Sequence, residues 1–382
     1  MIMIQLIEKA KQIFPDNIEY RTYFSPGRVN LIGEHIDYNG GFVLPCALDI
    51  GTFGIASRRS DDLIFCYSDN FPEVGTISFS LADVHYDSKD NWVNYVKGVV
   101  SLLGLKQGFN LYVHGEIPNA SGLSSSASLE LLVGVVANDL YNLGLSKLDL
   151  VKIAHRAENE FIGVNCGIMD QFIIGMAENK SGILLNTASL EYHFVKIDLE
   201  DYVLVIGNTN KKRTLASSKY NERRSECERG LVTLKQKYQI KDLCELSMQE
   251  FSESESMIRD EVIKRRVRHV ISENERTKKA YQALQDRDLK TFGLLLNASH
   301  LSLQEDYEVT GLELDTLQEL FLKYGAIGAR MTGAGFGGCM IALVKEKEAA
   351  AIIEKVSPEY MAITGLKADF YPVHVGNGAG RL

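Results

Sequence analysis

Apolar residues recur along this chain at two spacings, and the switch from one to the other marks out its elements. The opening MIMIQLIEKAKQIF repeats its apolar positions at helical spacing, with Lys9 and Lys11 between them, and predicts an amphipathic helix. From 50 to 85, IGTFGIASRR and TISFSL alternate apolar and polar, which predicts antiparallel strands with charged loops. DNWVNYVKGVVSLLG is helical again and carries the one tryptophan, Trp92; FNLYVHGEI follows as a strand. The apolar run from Leu129 to Leu140 is long enough for a buried helix. Ser146-Lys147-Leu148-Asp149 comes close to a capping box and opens a helix that stops at Gly163. VKIDLEDYVLVIGNTN predicts a strand pair, and 210–325 is mostly helical, its many charges forming solvated faces. The strand CMIALV, a closing helix over 346–356 and a strand over 369–375 complete the chain. With 382 residues, more than one core usually serves, the change of pattern predicts two domains, 1–195 and 196–382.

Chemistry concentrates at four places. The first is GEIPNASGLSSSASLE, Gly115 to Glu130, where small residues lead into Ser124, Ser125 and Ser126 ahead of the apolar helix. A loop so poor in side chains lets backbone N–H groups approach an anion, and the helix adds its unpaired N–H groups and positive dipole end. It is not the common P-loop, since no Gly-Lys-Ser/Thr closes it. The plainer alternative is a Ser/Gly turn capping a core helix. The second place is YRTYFSPGRVNLIGEHIDYNGG, in which Arg28, Glu34, His35 and Asp37 interleave with Val29, Leu31 and Ile32. Ionisable groups in an apolar frame are costly unless they bind something. Third, Glu158 near one helix end and Asp170 near the next helix start offer two carboxylates beside the loop, as a metal ligand and a base; a cap role for Asp170 is the alternative. Fourth, five glycines (328, 333, 335, 337, 338) precede CMIALV, so the backbone there passes close to something. Trp92 serves either as core or as a stacking surface for a planar base.

Composition narrows the class. A hydrophobic content of 45% with 24% charged residues fits a soluble globular protein. The net charge of −9 argues against a nucleic-acid or anionic-membrane partner. No apolar run approaches a membrane span, and the N-terminus lacks the basic leader and small-residue cleavage site of a signal peptide. Six scattered cysteines, without a close pair, predict reduced and mostly buried thiols in a cytoplasmic protein.

Taken together, three motifs resemble the GHMP family of small-molecule kinases. Gly27 to His35 with Asp37 to Gly41 is similar to the signature of its galactokinase branch; Gly122 to Ala127 resembles the family's phosphate loop; Met331 to Gly338 is the third. Gly167 to Gln171 and Ala216 to Tyr220 match the same branch. The resemblance implies an α+β fold of two domains with mixed sheets and helices, ATP and a sugar meeting in the cleft between them. It implies phosphorylation of D-galactose by ATP with Mg²⁺, in a monomer. By residue, it implies Arg28 and Asp170 as the catalytic pair and Glu34, His35, Asp37, Gly167 and Tyr220 as sugar ligands. The nucleotide falls to Trp92, Ser121, Gly122, Leu123, Ser124, Ser125 and Ser126, and Mg²⁺ to Ser126 and Glu158. One position departs: Ile36 stands where galactokinases usually have Thr, and relatives acting on galacturonate can carry Ile there. A kinase for such a sugar, or a non-catalytic sensor on the same fold, are the alternatives; the intact serine loop argues against the sensor.

Overall fold

The computed structural model describes residues 2–15, 19–117, 122–164, 166–178, 180–212 and 216–382. Its first half holds α1 (Ile2–Ile13), β1 (Arg21–Asn30), β2 (Phe42–Val43), β3 (Pro45–Arg58), β4 (Leu63–Ser68) and β5 (Ile77–Ser80). Then come α2 (Val93–Leu103), β6 (Phe109–Gly115), α3 (Ser125–Tyr141), α4 (Lys147–Arg156), α5 (Met169–Met176), β7 (Ser181–Asn186) and β8 (Tyr192–Lys196). The second half runs through β9 (Tyr202–Asn208), α6 (Ala216–Leu234), α7 (Met248–Ser252), α8 (Glu261–Gln285), α9 (Leu289–Glu305) and α10 (Leu312–Lys323). It closes with β10 (Gly328–Thr332), β11 (Cys339–Lys345), α11 (Ala349–Thr364), β12 (Asp369–Val373) and β13 (Gly380–Arg381).

Two sheets organise these elements. The larger runs β13-β1-β3-β6-β4-β5, with β7 joining β2, β3 and β8; the smaller is antiparallel, β10-β11-β9-β12. The large sheet is mixed. β4 pairs with β5 antiparallel but lies parallel to β6, so the strands expected to be purely antiparallel are not. A long return through β5 and α2 makes that parallel pairing reachable, and alternation alone carries no strand direction. VKIDLEDYVLVIGNTN also departs from expectation: β8 ends one sheet and β9 is interior to the other, so the two do not pair.

α3 lies in the core, with Leu131, Leu132, Val133, Val136 and Leu140 buried. α4 starts at the capping box read from Ser146 and Asp149. α11 runs to Thr364 rather than stopping at 356, straight through Pro358. Proline usually ends a helix. Here Tyr360, fully buried, donates to the Thr209 carbonyl at 2.9 Å and pins the following turn. Apolar cores cross between the halves: Val29 and Leu31 of the first pack with Ile206, Phe292 and Cys339 of the second.

Candidate active site

Arg28 leaves β1 just where its register with β3 slips between Pro26 and Arg28. Such an irregularity re-aims a side chain. The guanidinium, almost fully buried, donates from Nε and Nη2 to the two oxygens of Asp170 at 2.7 and 2.6 Å, and from Nη1 to the Gly122 carbonyl at 2.7 Å. This is the two-pronged geometry that Arg offers a carboxylate. Asp170 sits in the first turn of α5, but the N-cap position is Ile168, and the carboxylate turns to Arg28 instead of back to the helix. Ser124 caps α3 in the left-handed region (φ 60) and makes no side-chain cap bond, because its hydroxyl donates to Asp170. The loop, the signature arginine and the carboxylate thus form one cluster. Ser121, expected among the nucleotide residues, lies outside the described residues.

A second cluster stands beside it. After α4 the chain makes a π-helical turn, Ala157–Ile162, of a kind frequent at functional sites. It turns Glu158 inward, where Ser126 Oγ donates to it at 3.0 Å and Gln171 Nε2 donates to its other oxygen. Gln171 also reaches Glu130 at 3.3 Å. Burial raises Glu158 above the usual carboxylate range, with Asp170 adding repulsion. Burial and then Glu158 push Glu130 up to about 9. The hydroxyl and carboxylate oxygens of Ser126 and Glu158 suit Mg²⁺, and the crowded carboxylates favour a cation. Among the described residues no group of three or more His, Cys, Asp or Glu could hold a metal ion, so the remaining ligands would have to be phosphate oxygens and water.

The sugar ligands expected from the sequence, Glu34, His35, Asp37, Gly167 and Tyr220, line a single cavity of about 520 Å³ together with the expected catalytic pair, Arg28 and Asp170. Gly167 has no room for a side chain, since a Cβ there would meet the Asp37 carboxylate. Gly33, at φ 101, lets the signature turn so closely that a Cβ would come within 2.7 Å of the Phe42 carbonyl. Glu34 is buried and accepts from Gly333 N at 2.8 Å, Thr332 Oγ1 at 3.1 Å and Asn30 Nδ2 at 3.0 Å, with Arg330 3.5 Å away. His35 Nδ1 lies 2.9 Å from the Tyr38 hydroxyl and Nε2 lies 3.2 Å from the Ala334 carbonyl oxygen. Burial holds its imidazole down at about 3, neutral at physiological pH. Asp37 is raised to about 7 by burial, with Glu34 and Asp170 adding to the shift. Ile36 is fully buried and packs against Gly41, away from the cavity. Gly333 belongs to the glycine run read from the sequence, whereas Arg330, Thr332 and Ala334 were not singled out individually, and that run was the available signal for them.

A smaller pocket of about 180 Å³ opens on the other side of Ser126. Phe71, Trp92, Tyr95 and Leu129 form its apolar wall, with Ser125 and Ser126 at its mouth. Trp92 is half-buried, packing against the core under α2 and also lining this pocket. Leu123 is buried in the apolar core, which leaves only its backbone to meet a ligand.

Comparison with known proteins agrees with this geometry. The family described as GHMP kinases N terminal domain matches residues 94–178, the galactokinase galactose-binding signature matches 11–58, and GHMP kinases C terminal matches 280–363. The galactokinase of Clostridium acetobutylicum is 51% identical, covering 100% of this chain and 99% of that one. The crystal structure of Lactococcus lactis galactokinase complexed with galactose superposes with a TM-score of 0.96 at 49% identity, covering 100% of both chains. The structure of L. major mevalonate kinase in complex with R-mevalonate, at 17% identity and a TM-score of 0.68 over 93% of this chain and 96% of that one, shares the fold alone. The chain belongs to the galactokinase family of GHMP kinases.

Proposed function

We propose that this chain transfers the γ-phosphoryl group of ATP to the C1 hydroxyl of D-galactose, giving α-D-galactose 1-phosphate and ADP. The observation that carries the reading is the Arg28–Asp170 pair, which faces the sugar cavity and is tied to the phosphate loop through Gly122 and Ser124. Phosphoryl transfer asks mainly for in-line positioning and neutralised charge. Arg28 holds the Asp170 carboxylate by two hydrogen bonds on the wall of the cavity, in position to accept a proton. That suits a loose transition state, in which the attacking hydroxyl becomes acidic only as its bond to phosphorus forms. Asp170 then takes the C1 proton, and Arg28 shares charge with the transferred phosphoryl oxygens.

Glu34, His35, Asp37 and Tyr220 offer directional partners to the sugar hydroxyls, and an epimer that misplaces one hydroxyl leaves a buried polar group unpaired. Mg²⁺ held by Ser126 and Glu158 would neutralise the β and γ phosphates. Trp92 lies under the adenine. We place the division between domains at 195/196, at the end of β8, and take the protein to be a cytoplasmic monomer; no helix among the described residues is long and apolar enough to cross a membrane. A galacturonate kinase is disfavoured because Glu34 and Asp37 would meet the substrate's carboxylate in the same cavity. Phosphorus NMR of reactions with ATP, Mg²⁺ and galactose, glucose or galacturonate tests the reading. A sugar 1-phosphate formed fastest from galactose is expected; a 6-phosphate, or preference for galacturonate, overturns it.

A further inference from the structure

Behind His35 lies a file of buried hydroxyl and thiol groups that the reaction does not use. The Tyr38 hydroxyl is 2.9 Å from His35 Nδ1, the Tyr307 hydroxyl 2.9 Å from that of Tyr38, and Cys227 Sγ 3.1 Å from that of Tyr307. Tyr307 and Cys227 are fully buried, and the Tyr307 ring packs 4.9 Å from the His35 ring. Each link in this file could in principle point either way, but its far end settles the sense. A carbonyl oxygen only accepts, so the contact between His35 Nε2 and Ala334 requires the proton on Nε2. A neutral imidazole has one N–H, so Nδ1 is bare and must accept from Tyr38. Tyr38 has then spent its proton and accepts from Tyr307, which in turn accepts from the Cys227 thiol. All three groups keep their protons at neutral pH: burial raises both phenols and lifts the Cys227 thiol to about 12.

We propose that Cys227, Tyr307 and Tyr38 are positioning residues whose one-way chain of hydrogen bonds locks His35 as its Nε2–H tautomer, so that neither ring nitrogen can accept a hydrogen bond from the sugar. The proposal rests on the sugar-site reading of His35 given above. The fold supports the file from both ends. α6 places Tyr220, Arg223 and Cys227 at i, i+3 and i+7, on one face, so the helix that lines the cavity also starts the chain. Arg223 Nε donates to the Tyr307 carbonyl at 2.7 Å, and Arg266 Nη1 to that of Asp306 at 2.6 Å, which clamps the loop carrying Tyr307. With Nδ1 engaged by Tyr38, His35 can meet a sugar oxygen only through the one N–H it shares with the Ala334 carbonyl, complementing the acceptors Glu34 and Asp37.

Two-bond ¹⁵N–¹H correlation on histidine-labelled protein without ligands, with His35 assigned by its loss in His35→Gln, should show a protonated Nε2 and a bare, hydrogen-bonded Nδ1. A proton on Nδ1 would overturn the proposal, whatever the enzyme's substrate proves to be; absence of galactose turnover with the expected tautomer would instead count against the sugar reading alone. Tyr38→Phe should move the Nδ1 resonance toward that of an unbonded nitrogen and raise the galactose KM roughly tenfold, with the ATP KM and kcat within about twofold. Cys227→Ser, which keeps an O–H donor, should retain the wild-type KM, whereas Cys227→Ala should raise it. A lowered Tm with KM and the Nδ1 signal unchanged in Tyr38→Phe would leave these groups as packing only. Should Tyr38→Phe fail to fold, Tyr307→Phe is judged by the same split in KM.

Discussion

All the residues lining the proposed nucleotide pocket fall within 52–129, on one sheet, the loops that join its strands and the helices packed on it. The proposed sugar cavity instead gathers Arg28, Glu34 and Asp37 from the signature, Gly167 from the approach to α5, Asp170 from its first turn, Tyr220 from α6 and Ala334 from the loop after β10. One pocket is local and lined by uncharged residues; the other carries the charged groups Arg28, Glu34, Asp37 and Asp170 and exists only where the two halves join. Apolar walls accept a planar ring on contact area alone, and a local segment suffices to build them. Telling one hydroxyl epimer from another needs polar groups fixed in direction, and such groups must be braced from several sides. Damage in the second half should therefore fall on the sugar and spare the nucleotide.

The largest effect belongs to the seam between the pockets. Asp170→Asn is nearly isosteric and should leave a folded protein that binds both substrates, with kcat lower by about 10²–10⁴-fold. More than about a tenth of wild-type kcat in stopped-time assays would remove Asp170 as the base. Next, Trp92→Ala should raise the ATP KM by about five- to a hundredfold, the range expected for a lost stacking partner, and leave the galactose KM alone. If it lowers Tm and changes neither KM, the tryptophan is core only and the nucleotide pocket loses its base platform.

The two sites should also answer differently to pH. Asp37, raised to about 7 by burial and then by Glu34 and Asp170, is protonated in the ligand-free fold below that value. If the sugar needs its ionised form, the galactose KM rises about tenfold for each pH unit below about 7, while the ATP KM does not follow, and Asp37→Asn flattens the profile. For stability the sign is opposite: the folded protein holds this proton where the unfolded chain has released it. The contribution is therefore full in acid and is lost as pH climbs from the ordinary carboxylate value to about 7, which Tm against pH will show in wild type and not in Asp37→Asn. The smallest expected change is Thr332→Val, which deletes a donor to Glu34 from the second half. Its galactose KM should rise about threefold with the ATP KM unchanged; equal rises in both would blur the contrast between the pockets.

Residues crowded within a few positions of one another were legible in advance. Arg28 to Asp37, and the serines 124 to 126, stand out because polar groups at such density within an apolar frame have no cheap structural excuse. Glu158 and Asp170 were legible as carboxylates at helix ends, though nothing in ENEFIG announces a π turn. What stayed hidden sits far along the chain. Arg330, Tyr307 and Cys227 reach the signature across roughly 190 to 300 residues, and periodicity marks such positions only as core or helix face. Strand direction was hidden for the same reason, because β4 is placed beside β6 by everything between them. Pro358 misled in the other direction: a strong local stop signal gave way to one buried tyrosine on the turn after it.

β13 sets the order in which this protein can be finished. Gly380 and Arg381 pair with Phe24 and Tyr23, the Leu382 amide donates to the Thr22 carbonyl, and the segment just before them lies along β3 and α5. The strand that covers the outer side of β1 is thus made only after the other elements of the second half. Until then β1 waits with an unpaired edge through the whole synthesis of the second half, the condition under which nascent chains recruit chaperones or pair with one another. A ribosome that stops before β13 therefore releases a chain whose first sheet keeps a bare edge at β1.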